Sequence, residues 1–177
     1  MNRSLARGIT ALELIVTMAV IAILLATAVP SFRAYTLKHR MQTAIDVLQT
    51  DLNMARGRAI SHNIQTIICP ADNSIACSGT PDWHHGWIIF SDLNRDRQKQ
   101  PGEPLHKRAN ATEFLSISSS RSRSYLRFYP NGTAPGTNIT ILFCDQRGAE
   151  HAGKILVSNS GRIRAETEDG GADENCS

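Results

Sequence analysis

The first thirty residues form a polar and basic start followed by a long apolar run. Residues 1–8 include Arg3 and Arg7, and Ile9–Val29 then continues for 21 residues with one charged side chain, Glu13. A helix rises 1.5 Å per residue, so this run can cross about 30 Å of hydrocarbon. The pattern predicts a leader over residues 1–8 and a membrane helix over residues 9–29.

A secretory signal peptide is the alternative, because it also has a basic start and an apolar core. The run is longer than such a core, lacks a small-x-small cleavage site before a soluble start, and carries Glu13 near its beginning. Basic residues before the run place the N-terminus in the cytoplasm. We therefore expect a single-pass inner-membrane protein with a periplasmic C-terminal domain.

Glu13 is the unusual residue of the apolar run. An ionisable side chain in a membrane span costs several kcal/mol, which makes it a functional hypothesis, although a position at the wet interface is the simpler explanation. Cleavage after Gly8 would create an ammonium group on Ile9, one helical turn from Glu13. The helix dipole and that amine, from the same or a neighbouring subunit, would stabilise the carboxylate.

Beyond Pro30 the pattern changes from uniformly apolar to amphipathic, which predicts that the helix continues over residues 30–61. Its apolar stripe consists of Ile45, Leu48, Leu52, Ala55 and Ala59. Its polar side carries Arg40, Gln42, Asp46, Gln49, Asn53 and Arg56.

From residue 62 onward, short β-prone runs separated by turn residues predict a β-rich domain over residues 62–177. The runs are Gln65–Cys69, Gly86–Ser91, Phe114–Ser118, Ser124–Tyr129, Thr137–Cys144 and Lys154–Ser158. Antiparallel strands packed on the amphipathic helix give an α+β fold. The tail, Ala165–Ser177, is acidic and rich in glycine, and we expect it to be irregular except at Cys176.

Charge and cysteine content narrow the classes of function. The formal net charge is +3, and without the leader arginines 17 basic residues face 16 acidic ones, so total charge does not indicate a nucleic-acid partner. Four cysteines behind a membrane-targeting segment favour disulfides over a metal site. Proximity suggests a Cys69–Cys77 bridge, which would leave Cys144–Cys176, with other pairings open.

No enzyme constellation stands out, and we expect neither catalysis nor a cofactor. His84 and His85 are adjacent, and consecutive strand residues point to opposite faces, so the pair is a poor chelate. Asp92–Asp96 with Glu103 imitates a calcium loop, but Arg97 occupies the position that requires glycine and Pro101-Gly102 interrupts the spacing. A polar hairpin turn is the preferred interpretation of that segment.

The segment Gly8-Ile9-Thr10-Ala11-Leu12-Glu13-Leu14 resembles the type IV prepilin signature, with Ile9 in place of the usual phenylalanine and Ala11 in place of a larger aliphatic residue. This resemblance implies that a prepilin peptidase cuts after Gly8 and methylates Ile9. It also implies that Glu13 serves in assembly, and Pro30 matches the proline that ends the membrane portion of such helices.

The rest of the chain is similar to the GspH/FimT group of minor pilins and pseudopilins, a pilin-like fold. The resemblance rests on Trp83 to Glu103, Phe128-Tyr129-Pro130-Asn131-Gly132 and Gly161-Arg162-Ile163-Arg164. It implies a non-catalytic filament subunit whose partners are other pilins, the prepilin peptidase and the inner membrane. The two cysteine pairs and the Asp92–Asp96 segment favour type IV pilus members.

In FimT-like members a Gly-Arg-x-Arg segment is associated with DNA binding in natural transformation, so the resemblance makes Arg162 and Arg164 candidate contacts for double-stranded DNA. Alternate arginines can grip phosphates from one side, and Lys154 and Arg147 would enlarge the patch, together with Arg121, Arg123 and Arg127. Acidic residues follow directly, and an edge strand protected by charge is the alternative. Three functions remain open: a priming minor pilin, a DNA receptor of an uptake pilus, and pseudopilin H of type II secretion.

Overall fold

The computed structural model describes residues 10–72, 74–120, 123–166 and Cys176. The chain divides into two compact units, Met1–Lys38 and His39–Ser177. The long helix α1 spans Ala11–His62 and contributes to both. By length and composition it is able to cross a membrane.

Within the first unit, α1 begins with a side-chain cap. The Glu13 backbone N–H donates to Thr10 Oγ1 at 3.3 Å, which satisfies one of the amides left free at a helix start. The apolar side chains that follow are exposed, with Leu12 at 73%. Pro30 lies inside the helix and removes one backbone donor, yet α1 continues through it. A bare apolar helix of this kind requires lipid or other helices around it.

Within the second unit, α1 buries the stripe that the sequence predicts. Ile45, Leu48, Leu52, Ala55 and Ala59 are fully buried, and Met41 and Ala44 extend the stripe towards residue 39. Truncation of one of the large side chains to alanine typically costs about 2–5 kcal/mol. The predicted amphipathic pattern is therefore confirmed here, except that Gln49 and Arg56, placed on the polar side, are half-buried.

In the described part of the chain, eight strands form two antiparallel four-stranded sheets that pack around this stripe. Sheet A has the order β3-β2-β1-β5 and sheet B the order β4-β6-β7-β8. The strands are β1 Thr66–Pro70, β2 Trp87–Ser91, β3 Leu105–Ala109, β4 Ser116–Ser119, β5 Leu126–Phe128, β6 Ile139–Cys144, β7 Gly153–Val157 and β8 Ile163–Glu166. A 3-10 turn, Ala149–His151, lies between β6 and β7.

The two central strands of sheet A, β1 and β2, are buried on both faces. The inner face of the sheet joins the core around α1, whereas Ile67, Cys69, Ile88 and Phe90 form a second cluster on the outer face, with Tyr125 packed against it. Both β1 and β2 are consequently buried along their whole length. This is why they appear in the sequence as continuous apolar runs rather than alternating ones.

The α+β fold with a long N-terminal helix packed on antiparallel strands is confirmed, and each of the six predicted runs overlaps a strand. Two edge strands, β3 and β8, were not predicted because their sequences are charged and contain no fully buried residue. The expected irregular tail is wrong at its first residues, since Ala165 and Glu166 pair with β7. Residues 167–175 and 177 lie outside the described residues.

Candidate functional site

Glu13, the residue predicted to serve in assembly, lies at the start of α1. Glu13 is in the first turn and exposed. Gly8 and Ile9, the predicted cleavage and methylation positions, lie outside the described residues, so both modifications remain predictions. What the structure adds is the helix cap at Thr10, which orients the first turn that carries Glu13.

The candidate DNA contacts of the second unit lie on sheet B. Arg162 and Arg164 are both exposed and both line one groove of about 540 Å³. Polar side chains complete its rim, namely Asn138, Thr140, Ser158, Asn159 and Ser160. The arrangement offers two guanidinium groups and several uncharged hydrogen-bonding groups on one surface, a composition suited to phosphate oxygens.

Glu166 moderates this positive surface. Its Oε2 lies 3.4 Å from Lys154 Nζ and its Oε1 lies 3.8 Å from Arg164 Nη2, so one carboxylate contacts two of the predicted cations. The β7–β8 register explains the contact, because Lys154 is directly opposite Glu166. Arg162 comes just before β8, and among the described residues no acidic side chain forms an ion pair with it.

Arg147 has a different environment from the other three cations. Its guanidinium lies 2.9 Å from Asp145 Oδ2, and its side chain is 11% exposed while that of Asp145 is fully buried. A buried ion pair of this kind loses much of its stabilisation if one partner turns away. Arg147 is therefore engaged with Asp145, and the structure gives it little surface for a ligand.

Two turns that are distant along the chain, at Gly132 and Gly161, lie against each other and against Arg56 of α1. Gly132 and Gly161 are both buried, at φ 76° and 77°, in the left-handed region that favours glycine. Arg56 Nε donates to the Gly132 carbonyl at 2.9 Å. The sequence motifs Pro130-Asn131-Gly132 and Gly161-Arg162 are thus one structural junction, a proximity that their separation along the chain did not reveal.

Both cysteine pairs suggested by proximity are present as disulfides, Cys69–Cys77 and Cys144–Cys176. Cys69 is in β1 and closes the loop that covers the outer face of sheet A. Cys144 ends β6 and fixes Cys176 to sheet B, the sheet that carries the arginines.

The Asp92–Glu103 segment forms the connection of the β2–β3 hairpin, as preferred from the sequence. Two of its acids accept hydrogen bonds from the protein itself. Asp92 Oδ2 accepts from Gln65 Nε2 at 2.6 Å, and Glu103 Oε1 accepts from the Leu93 amide at 2.8 Å. Within the described residues no group of three metal-ligating side chains exists.

His84 and His85 lie in a turn before β2, not on a strand, so their rings lie 4.1 Å apart instead of on opposite faces. The strand assumed in the sequence argument was wrong, and the pair lies in a turn between the buried Trp83 and Trp87.

Comparison with known proteins shows the family to which this chain is related. A family model described as type II transport protein GspH matches residues 44–161, more than half of the chain. No curated protein sequence matches the chain significantly.

Two kinds of solved structure share the architecture. The type IV minor pilin FimU of Pseudomonas aeruginosa is 22% identical with a TM-score of 0.64, over 81% of this chain and 99% of that one. The minor pseudopilin EpsH from the type II secretion system of Vibrio cholerae is 8% identical with a TM-score of 0.54, over 73% of this chain and 98% of that one. At these identities the likeness concerns the fold.

Proposed function

We propose, from the premise that this chain belongs to the GspH/FimT family of pilin-like proteins, that it is a minor pilin of a type IV pilus. Membership makes it a minor pilin or pseudopilin, a subunit that assembles with other pilins. The choice of a pilus rests on the two disulfides and the Asp92–Glu103 hairpin. Pseudopilin H of type II secretion is the competing assignment.

The observation that carries a filament role is the exposed apolar first half of α1. Its large apolar side chains are exposed, with Leu12 at 73%, and one acid, Glu13, interrupts them near the start. In the membrane, lipid covers this surface, and in a filament the same surface packs on the helices of neighbouring subunits. An N-terminal amine created after Gly8 would then neutralise Glu13, which makes correct docking more favourable than incorrect docking.

Two measurements in the native host test this proposal. Mass spectrometry of the membrane-extracted protein should find a chain that starts at a methylated Ile9. Glu13→Gln should abolish incorporation into sheared filaments, while Asp46→Asn, an exposed acid further along α1, should incorporate normally. An intact Met1, or equal incorporation of both variants, would contradict the mechanism.

Gene deletion separates the two filament systems. Loss of surface pili with normal protein secretion is the result expected for a minor pilin. Loss of secretion with normal pili would reassign the chain to type II secretion, without affecting the role of Glu13.

Double-stranded DNA is the second proposed partner, and the groove with Arg162 and Arg164 is the observation that favours it. Both side chains stand on one exposed surface, where they can neutralise phosphates and release counterions. Total charge does not drive the interaction, since acids and bases are nearly balanced over the chain. The affinity must therefore come from this local arrangement.

A gel-shift titration of the full chain in non-ionic detergent, at two salt concentrations, tests the DNA proposal. Arg162→Gln with Arg164→Gln should remove binding, or reduce the slope of log affinity against log salt by about 2. The matched control is Arg95→Gln with Arg108→Gln, two exposed arginines of the β2–β3 hairpin. Equal losses in both double variants would indicate general charge attraction and refute a specific groove.

A further inference from the structure

The turn that precedes Arg162 is in backbone contact with a second turn of the domain. A Cβ atom added at Gly161 would collide with the Gly132 carbonyl oxygen and lie 3.2 Å from Arg56 Nε. A Cβ added at Gly132 would lie 2.9 Å from Ile60 Cδ1. At Gly161 the backbone oxygen leaves no room for a side chain, and at both positions the left-handed backbone favours glycine.

Hydrogen bonds connect the two turns on either side of this contact. The Ala134 amide donates to the Asn159 carbonyl at 2.9 Å, and the Gly136 amide donates to Asn159 Oδ1 at 3.2 Å. The 158–161 turn is thereby fixed to the 132–136 loop over its length, rather than at one point.

The same turn sets the conformation of Arg162. The Gly161 amide donates to the Ser158 carbonyl at 2.8 Å, the Ser158 amide donates to the Arg162 carbonyl at 3.1 Å, and the Arg162 amide donates to Ser158 Oγ at 3.3 Å. The backbone of Arg162 therefore follows the turn, and the turn follows the 132–136 loop.

Arg56 fastens that loop to α1. Its Nε–H donates to the Gly132 carbonyl, the same oxygen that Gly161 faces, and the side chain is half-buried between the helix and the two turns. A hydrogen bond from a charged donor is stronger than one from a neutral donor. The planar guanidinium also has a fixed donor direction, which an ammonium lacks.

We infer that Arg56 is a positioning residue for the arginine groove: through the Gly132–Gly161 contact it fixes the direction in which Arg162 and Arg164 present their guanidinium groups. Arg56 acts through the turns and does not itself contact the ligand. The inference rests on the proposed binding of DNA phosphates at this groove, and it adds a residue on α1 to a site otherwise built from sheet B.

Arg56→Lys and Arg58→Lys form a matched pair for the test. The two arginines stand on the same helix, both variants keep the charge, and Arg58 is exposed with a contact to His62 instead of the turns. Hydrogen exchange of the full chain in detergent should be about tenfold faster in segments 129–136 and 158–162 of Arg56→Lys, as the loss of about 1.4 kcal/mol predicts. Arg58→Lys should leave both segments unchanged.

DNA affinity gives the second measurement. Arg56→Lys should bind duplex DNA about threefold to tenfold more weakly, with the salt slope of the wild type, because no phosphate contact is removed. Gly161→Ala, which displaces the turn while Arg56 is intact, should weaken binding in the same way. Gly79→Ala is its control, since that glycine has a similar φ of 75°, open space around it and no place in either turn.

The outcomes distinguish the role inferred for Arg56 from the proposed binding of DNA at the groove. Unchanged exchange in Arg56→Lys overturns the inference, and so does faster exchange with unchanged DNA affinity. A reduced salt slope in Arg56→Lys also overturns it, since that would mean a direct phosphate contact. If the wild-type chain does not bind DNA at any salt concentration, the proposed groove fails, and the exchange data alone then decide whether Arg56 holds the turns.

Discussion

Asp51 Oδ2 accepts a hydrogen bond from the Trp87 indole Nε1 at 2.8 Å, which joins the buried side of α1 to strand β2. Lys107 on β3 donates to the other oxygen at 2.6 Å. Asp51 is 1% exposed, so its carboxylate depends on these two partners in place of water. Together they determine how α1 is rotated against sheet A.

Replacement of Asp51 should therefore weaken the whole domain. Asp51→Ala leaves the indole N–H without its acceptor and a cavity beside it, and we expect a loss of about 2–4 kcal/mol in the free energy of unfolding. Chemical denaturation followed by tryptophan fluorescence measures it. Asp46→Ala, an exposed position on the same helix, should change stability by less than about 0.5 kcal/mol.

Glu166 should limit the affinity of the arginine groove. Because its carboxylate contacts Lys154 and Arg164, Glu166→Gln should free both cations and tighten DNA binding by about threefold to tenfold. Glu150→Gln makes the same change in net charge, but Glu150 pairs with His151. A gel shift in which both variants bind equally tightly would show that only net charge matters.

His106 should make stability depend on pH. Burial, followed by the charges of Arg58 and His62, lowers the pKa of His106 below its usual value near 6.5, and its Nε2 lies 2.8 Å from Ser91 Oγ. The unfolded chain therefore binds a proton more readily, so the stabilisation is present above pH 6.5 and is lost as pH falls through the lower folded pKa.

Denaturation midpoints at pH 7.5 and 5.5 test this dependence. The wild type should lose more stability between these values than His106→Asn, which cannot titrate. His85→Asn, on an exposed histidine, should behave like the wild type. An identical pH response in all three proteins would exclude a role for His106.

The two disulfides should contribute unequally. Cys144–Cys176 closes a sequence separation of 32 residues and Cys69–Cys77 one of 8. The chain-entropy relation gives about 3.7 and about 2.6 kcal/mol, so Cys144→Ala with Cys176→Ala should lower the melting temperature more than the other double variant. Calorimetry of both variants without reductant measures this order, and the reverse order would show that local packing around Cys69 outweighs loop closure.

The sequence determined the features that depend on neighbours along the chain. The apolar run with Glu13, the stripe from Ile45 to Ala59 and the polar β2–β3 connection all follow from local periodicity, because a helix or a turn is formed by residues within a few positions. The Cys69–Cys77 bridge belongs to the same class, since a short separation already brings the two residues near each other.

Tertiary structure decided the features that depend on distant residues. The burial of Asp51 required Trp87, 36 positions away, and the half-buried Arg56 required Gly132, 76 positions away. The charged strands β3 and β8 form because a sheet edge needs one hydrogen-bonded neighbour and little apolar surface, so their sequences resemble loops. The spacing of Arg162 and Arg164 is local, but only the pairing of β8 with β7 placed Lys154 opposite Glu166 and so set the charge beside the two arginines.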